Sequence, residues 1–402
     1  MSARRRWTPV KGTGNRVYDP RERWLLRAAD LPGRLLFSLR ARPRSLPPGE
    51  IREVLVLRLD RIGDLLMCFP ALQALREALP GARVRLAVGT WAEELARRAP
   101  VDEVLVWSAP WVGRAAEGAQ PLPALLRSAR RLASERVDLA VDLQGDVRAA
   151  WLMWLTGARM RVGYANTGGA YLLTRVVPLD ETVSWVEQNL RAVAAAVGQR
   201  SPVVRSTPLR PGDAELGRRL LGELARPIVG IHPSGGRRIK QWPVARWVAL
   251  AERLAAAAGA SFVVTGGPGD AALAGELAAA IGAPVRNLAG QIGLMEMLAL
   301  VSQLDLFLSP DTGPMHVACA VGTPSVSVFG PSDPVRYFSG GSGARGGRHV
   351  VVGPDLWCAP CNRIRRPPAE CLEGEAPECL RSIDVAAVAA AALELLARGA
   401  EP

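Results

Sequence analysis

From residue 51 onward the chain alternates short apolar runs rich in β-branched residues with longer runs that have helical periodicity. Such alternation predicts a parallel α/β architecture, in which each strand is followed by a helix that packs on the sheet. The helices predicted in the first half include 65–79 and 122–132. The strands predicted there are 54–59, 84–88, 104–107, 139–143 and 161–164.

A second series of strands follows a polar, proline-containing stretch at 198–226, which we interpret as an interdomain connection with one short helix. The strands predicted in this series are 228–232, 261–265, 285–288, 306–309 and 325–329. Helices are expected to begin near Val244, Ala271, Leu294 and Gly313, and a last helix is expected at 384–398. Two doubly wound domains are the simplest interpretation, with a ligand expected in the cleft between them at strand carboxyl ends.

Positive charge is concentrated at the start of the chain. Residues 1–50 hold twelve Lys/Arg against four Asp/Glu, so they carry +8 of the net charge of +12. Leucines and a tryptophan lie among these arginines, which is typical of an amphipathic helix at an anionic membrane surface. The alternative is a helix packed on the body of the protein. A nucleic-acid partner is disfavoured, because the charge does not follow a base-stacking platform.

The longest stretch without Asp, Glu, Lys or Arg is 312–332, and glycines and prolines interrupt it. It therefore predicts a turn, a helix and a strand rather than a membrane span. The N-terminus also lacks the pattern of a secretory signal. We therefore expect a cytoplasmic protein. The basic segment leaves one alternative open, which is peripheral attachment to the inner face of the cytoplasmic membrane through residues 1–45.

Residues 228–243, IVGIHPSGGRRIKQWP, hold one of three histidines and one of two lysines in the chain. An apolar strand runs into His232 and a turn with Ser234 and Gly235, and Lys240 precedes a helix that Trp-Pro opens. Glycines let backbone N–H groups approach a ligand, and lysine is a compact charge that suits phosphate. The segment predicts an anion site, and the alternative is a solvated basic turn.

The turn after the first strand reads RLDRIGDLLMCFPAL and places Asp64 at the start of an apolar helix. Aspartate at such a position commonly caps the helix. The same carboxylate is expected to point into the cleft of a doubly wound domain, where it could act as a general base. Asp60 competes with Asp64 for that role.

Two further turns follow strands of the second series. In SPDTGPMHVA, the residues Asp311, Thr312 and Gly313 precede a helix whose N-terminus is expected to bind an anion, with His316 one turn along. A histidine there could instead be a core residue bonded to backbone. In TGGPGD, Gly267 precedes Asp270, which could cap the next helix or accept hydrogen bonds from a ribose.

Four cysteines cluster late in the chain, at Cys358, Cys361, Cys371 and Cys379. Zinc ligation, disulfides and free thiols all stay open, because the second pair is spaced too widely for a typical zinc ribbon. Cys68 and Cys319 stand in apolar helical contexts and are expected in the core.

Together these motifs resemble glycosyltransferase family 9, the ADP-heptose:lipopolysaccharide heptosyltransferases. The resemblance is carried by RLDRIGDLLMCFPAL, HPSGG with the later K and WP, TGGPGD, SPDTGPMHVA and the CAPC segment, in order over 51–390. It implies a GT-B fold, with two Rossmann-like domains facing across a cleft. The implied divisions are a basic extension at 1–50, an acceptor domain at 51–210, a nucleotide-sugar domain at 227–383 and a closing helix at 384–402.

The resemblance also implies roles for individual residues. The family's catalytic aspartate falls on Asp64, its phosphate-binding lysine on Lys240, and its diphosphate motif on Asp311, Thr312, Gly313 and His316. Asp270 stands where the family usually has glutamate, which puts its ribose contact in doubt. The implied reaction is an inverting transfer of a heptose or related sugar from an ADP-sugar, with ADP-L-glycero-D-manno-heptose as the expected donor, to a lipopolysaccharide core or similar glycolipid.

The implied reaction needs neither a cofactor nor a metal ion, because Lys240, His316 and backbone amides would stabilise the departing diphosphate. Two other functions remain open at the level of sequence. One is a nucleotide-sugar epimerase of GT-B shape, and the other is a non-catalytic protein that binds an ADP-sugar or an anionic surface. The acceptor is not identified, although the loops at 109–120 and 144–148 are expected to contact it.

Overall fold

The computed structural model describes Trp24, Gly33, Leu209 and the ranges 46–111, 120–198, 213–340, 347–364 and 367–399. Most of the basic extension, residues 112–119 of the expected acceptor loop and much of the interdomain connection lie outside the described residues. The chain forms two compact units, Val10–Thr207 and Pro208–Pro402. Below they are the first and second unit.

The first unit contains a six-stranded parallel sheet. Its strands are β1 (Glu53–Leu57), β2 (Arg83–Val88), β3 (Glu103–Val106), β4 (Leu139–Asp142), β5 (Met160–Gly163) and β6 (Arg175–Val176). They are arranged in the order β3-β2-β1-β4-β5-β6, so that β1 pairs with β2 on one side and β4 on the other. Five strands match the sequence-based prediction, and the two-residue edge strand β6 was not predicted.

The helices of the first unit are α1 (Ile62–Leu66), α2 (Phe69–Ala78), α3 (Glu93–Ala96), α4 (Leu122–Arg131), α5 (Val147–Leu155) and α6 (Trp185–Val197). The continuous helix expected at 65–79 is wrong, because α1 ends at Leu66 and α2 begins at Phe69. Pro70 occupies the first turn of α2, where its missing N–H is tolerated, whereas inside one long helix it would remove a backbone hydrogen bond.

The second unit repeats this topology. Its strands are β7 (Ile228–Ile231), β8 (Ser261–Val264), β9 (Val285–Asn287), β10 (Leu306–Pro310), β11 (Ser325–Val328) and β12 (His349–Val352). They form a parallel sheet in the order β12-β11-β10-β7-β8-β9, in which β7 lies between β8 and β10. In both units, therefore, the direction of winding reverses between the first and fourth strands, and the loops after these strands form the switch point.

The helices of the second unit are α7 (Ala214–Leu221), α8 (Val244–Ala258), α9 (Ala271–Ala280), α10 (Leu294–Val301), α11 (Gly313–Val321), α12 (Pro334–Tyr337), α13 (Glu378–Arg381) and α14 (Val385–Gly399). Helices α8 to α11 begin at the predicted starts, and α7 and α14 match the short helix expected in 198–226 and the last helix expected at 384–398. The short helices α12 and α13 were not predicted. Among the described residues, no helix is long and apolar enough to cross a membrane.

Each sheet is covered by apolar helix faces. In the second unit, Trp242 and Trp247 pack edge to face with ring centroids 4.9 Å apart, and both are almost fully buried beside β7 and β8. Trp242 Nε1 donates to the carbonyl oxygen of Leu380 at 3.1 Å, which links the start of α8 to the end of α13. The turn that carries Lys240 therefore ends on a rigid part of the core.

Candidate functional site

The switch point of the first unit contains a buried arginine between two carboxylates. Arg58 follows β1 and is 3% exposed. Its Nε lies 2.7 Å from Asp60 Oδ1 and its Nη2 lies 3.1 Å from Asp64 Oδ1. Its Nη1 donates to the carbonyl oxygen of Leu143, just after β4. Arg58 therefore holds both acidic side chains and the β4 loop in one arrangement.

Asp64 does not cap the helix, so the capping interpretation of this residue is wrong. Arg61 occupies the N-cap position of α1, and Asp64 lies in the first turn with its carboxylate turned to Arg58. About a quarter of the Asp64 side chain is exposed, at 26% against 20% for Asp60. Of the two candidates for a general base, Asp64 has the slightly more accessible carboxylate and the longer contact to Arg58.

Two carboxyl groups near Arg58, those of Asp60 and Asp142, have a raised pKa. Burial raises the pKa of Asp60 to about 7, while the charge of Arg58 opposes the rise. Burial also raises the pKa of Asp142 to about 7, although the amides of Gln144 and Gly145 donate to its carboxylate at 2.8 and 3.0 Å. Asp142 ends β4 and thereby shapes the loop at 144–148, which was expected to contact the acceptor.

The switch point of the second unit holds Lys240 on a tight turn. Ser234 Oγ accepts from the Gly236 amide at 3.2 Å. A Cβ atom on Gly235 would lie 2.6 Å from the carbonyl oxygen of Lys240 and 2.7 Å from its Cβ, so only glycine allows this close approach. The turn thus packs directly against the backbone that carries the lysine.

Lys240 reaches across the switch point to the loop after β10. Its Nζ lies 2.9 Å from Asp311 Oδ2 and also donates to the Asp311 carbonyl oxygen. Both side chains are 13% exposed. Burial alone would raise the pKa of Asp311, but the Lys240 ammonium and the other neighbouring groups together outweigh it, and the net shift is downward. The Asp311 carboxyl group is therefore ionised at neutral pH.

Helix α11 begins beside this ion pair. Thr312 takes the N-cap position with extended backbone angles, and Pro314 lies in the first turn. The Thr312 side chain makes no capping hydrogen bond to this N-terminus. His316 is 5% exposed. Its Nδ1 lies 2.9 Å from Ser339 Oγ, a side-chain atom. This contact therefore differs from the bond to backbone that was the alternative for a core histidine. The charge of His316 also lowers the pKa of Asp311.

The remaining predicted residues follow β7 and β8. His232 Nδ1 lies 3.1 Å from Thr265 Oγ1, and burial lowers the pKa of this histidine to about 4. Asp270 Oδ2 accepts from the Gly267 amide at 3.0 Å, which closes the short 3-10 turn Pro268–Asp270 rather than capping α9. Both residues thus have a structural partner.

All six cysteines lie among the described residues and are free thiols. Burial and the neighbouring thiols Cys361, Cys358 and Cys371 raise the pKa of Cys379 to about 12. Among the described residues, no three His, Cys, Asp or Glu side chains are arranged to hold a metal ion.

Three residues of the candidate site were not identified from the sequence. Arg58 is one arginine among many, and nothing in the pattern marks it as buried. Asp142 looks like an ordinary residue at the end of a strand. Ser339 lies 23 residues from its partner His316. A search for charged or polar side chains immediately after apolar strands could have found Arg58 and Asp142.

Two doubly wound units of the same sheet topology, each with charged side chains at its switch point, define the class of the fold. The family model of glycosyltransferase family 9 (heptosyltransferase) matches residues 125–370. Lipopolysaccharide heptosyltransferase 3 of Escherichia coli is 28% identical over 284 residues, which cover 67% of this chain and 81% of that protein. Lipopolysaccharide heptosyltransferase 1 of Pseudomonas aeruginosa is 28% identical over 323 residues, which cover 77% and 85%.

Solved structures give the same picture of the fold. The structure of ADP-heptose lipopolysaccharide heptosyltransferase II of E. coli matches with a TM-score of 0.69 at 22% identity, covering 86% of this chain and 99% of that one. This likeness confirms the GT-B fold class expected from the sequence. The chain belongs to glycosyltransferase family 9 and is a glycosyltransferase.

Proposed function

We propose that this enzyme transfers a heptose from an ADP-heptose to the core of a lipopolysaccharide or to a similar glycolipid. The names of its relatives support the sugar and the class of acceptor. The single observation that carries the proposal is the Lys240–Asp311 pair beside the N-terminus of α11. It gathers a lysine charge and a helix dipole, which suit the diphosphate of a nucleotide sugar.

We assign the donor to the second unit and the acceptor to the first. In the second unit, the donor's diphosphate would contact Lys240 and the backbone amides near Thr312 and Gly313, while the Ser234–Gly235 turn supports Lys240. Asp311 holds the lysine in place, because its carboxylate is ionised and mostly buried. The turn between Gly267 and Asp270 is the proposed place of the nucleoside, and the shorter aspartate makes its ribose contact the weakest of these assignments.

In the first unit, Asp64 is the proposed general base. A base of this kind must be ionised when the acceptor binds. Nη2 of Arg58 lies 3.1 Å from Asp64 Oδ1 and holds the Asp64 carboxylate in place at the switch point. Asp60 is less suited, because it makes the shorter contact to Arg58 and its side chain is the less exposed of the two.

The proposed reaction is a single displacement. An acceptor hydroxyl gives its proton to Asp64 while its oxygen bonds to the anomeric carbon of the donor. The bond from that carbon to the diphosphate oxygen breaks on the opposite face, so the anomeric configuration inverts and ADP leaves. Lys240 and the start of α11 would stabilise the negative charge that develops on ADP. Because these groups supply the positive charge, we propose that the reaction needs no metal ion.

Mass spectrometry of the acceptor tests this proposal. The chain is incubated with ADP-heptose and a truncated lipid A core acceptor, with and without a metal chelator. We expect the acceptor to gain the mass of one heptose in both samples. Isomerisation of the sugar nucleotide without acceptor, or no turnover at all, would contradict the proposed transfer. Loss of transfer only with the chelator would contradict metal independence alone.

A further inference from the structure

His316 makes a side-chain hydrogen bond that the proposed reaction does not use. Its Nδ1 lies 2.9 Å from Ser339 Oγ, and the two residues stand 23 positions apart in the chain. The His316 side chain is almost fully buried. The proposed reaction assigns no role to Ser339.

The hydrogen bond between Ser339 and His316 can run in either direction, because a hydroxyl can donate to Nδ1 or accept from a proton on it. If Nδ1 carried the proton, the neutral ring would have only an acceptor at Nε2. If Ser339 donates, the proton of the neutral ring lies on Nε2.

A neutral imidazole that accepts at Nδ1 must carry its proton on Nε2. That tautomer has a donor on the nitrogen farther from the backbone. A diphosphate offers only acceptor oxygens, so a histidine that binds it without a net charge needs a donor on the nitrogen that reaches it. His316 lies one turn into α11, the helix that begins just after Asp311, and its protonated form lowers the pKa of that carboxyl.

We propose that Ser339 is a positioning residue, which donates to Nδ1 of His316 and so keeps on Nε2 the proton that His316 donates to the diphosphate of the donor. The inference rests on the proposed function, because it takes a nucleoside diphosphate as the ligand of the second unit.

Calorimetric binding of ADP to the full chain at pH 8, where histidine is neutral, tests the inference. Ser339→Ala is expected to raise the Kd by about 3- to 10-fold, which is the effect of one net hydrogen bond. Ser339→Thr keeps the hydroxyl and should restore most of the affinity. The matched control is Ser302→Ala, because Ser302 donates to Ala299 O at 2.8 Å in the same unit and should leave the Kd within about twofold.

A second pair of variants separates positioning from a structural effect. In His316→Gln, the amide nitrogen stands near the place of Nε2 and donates without help from Ser339. Ser339→Ala should therefore change the Kd by less than about twofold in the His316→Gln background, a non-additivity typical of residues that act through one another. An equal loss in both backgrounds, or no loss in either, would overturn the inference.

The unmodified chain separates this inference from the proposed function. If it does not bind ADP, both the proposed function and the inference are wrong. If it binds ADP and transfers the sugar, while Ser339→Ala binds as tightly as the unmodified chain, only the inference is wrong. Thermal unfolding of each variant shows whether the substituted chain is folded under the conditions of the binding measurement.

Discussion

The Nζ atom of Lys240 lies 2.9 Å from Asp311 Oδ2, although the two residues stand 71 positions apart in the chain. Their strands, β7 and β10, are neighbours at the switch point of the second sheet. The topology therefore brings together a lysine and a carboxylate that are both mostly buried. Asp311 thereby fixes the position of the Lys240 ammonium at the start of α11, which is the basis of the proposed diphosphate site.

Lys240→Ala is expected to raise the Kd for ADP by about 10- to 100-fold, because a charge-assisted contact is lost. Calorimetry with ADP measures the change. Arg238→Ala is the matched control, since Arg238 lies exposed on the same short 3-10 turn and donates to Gly374 O instead. An unchanged affinity in Lys240→Ala, or equal losses in both variants, would show that Lys240 does not bind the diphosphate.

Gly235→Ala should weaken ADP binding more than Gly236→Ala. A methyl group on Gly235 would lie 2.6 Å from the Lys240 carbonyl oxygen, so the backbone under Lys240 must move. Gly236 has nothing within 4 Å of the added methyl group and a φ of +68°, so its substitution costs only about 1 kcal/mol in backbone strain. The Kd values for ADP check the order, and a larger effect at Gly236 would contradict it.

Arg58→Met should destabilise the first unit by on the order of 3 kcal/mol, because it leaves two carboxylates without their buried partner. Denaturant unfolding measures the loss. Adding Asp60→Asn should recover part of it, since one unpaired charge is removed. Arg83→Met is the control, because the Arg83–Glu103 pair is exposed and such pairs contribute less than about 1 kcal/mol. If Asp60→Asn restores no stability to Arg58→Met, the proposal that Arg58 balances the charge of these carboxylates is wrong.

His232 should make the second unit sensitive to acid. Burial lowers its folded-state pKa from 6.5 to about 4, so its stabilising contribution is present above pH 6.5 and is lost as the pH falls towards 4. At pH 5 the loss is about 2 kcal/mol. His232→Gln cannot be protonated, so it should lose that much less stability between pH 7.5 and pH 5. Denaturant unfolding at each pH measures the stability of the unmodified chain and of His232→Gln. Equal losses in the two proteins would contradict this prediction.

The sequence predicted the inner strands and the helix starts because those strands are buried on both faces and read as continuous apolar runs. It missed β6 and β12, which lie at the edges of their sheets. β6 has two exposed residues, and β12 is only partly buried, so neither produces a strong apolar run. The break between α1 and α2 depended on the position of Pro70, which the helical periodicity does not reveal.

Within the candidate site, the sequence predicted the residues that stand at strand ends, such as Lys240, Asp311 and His316. It did not predict how Asp64 is held. A local pattern favours an N-cap, whereas the buried charge of Arg58 turns the carboxylate away from the backbone. Partners such as Ser339 could not be predicted, because only the folded chain brings them to their histidine.

Release of ADP that depends on the acceptor, measured for the unmodified chain and for Asp64→Asn, tests the central claim most directly. We expect Asp64→Asn to lower the rate by about 100- to 10,000-fold, which is the usual effect of removing a general base, while the Kd for ADP stays within about twofold. Asp60→Asn, the neighbouring control, should lose less than about tenfold. An Asp64→Asn variant that releases ADP at the unmodified rate, or that loses ADP binding together with activity, would contradict the assignment of Asp64 as the base.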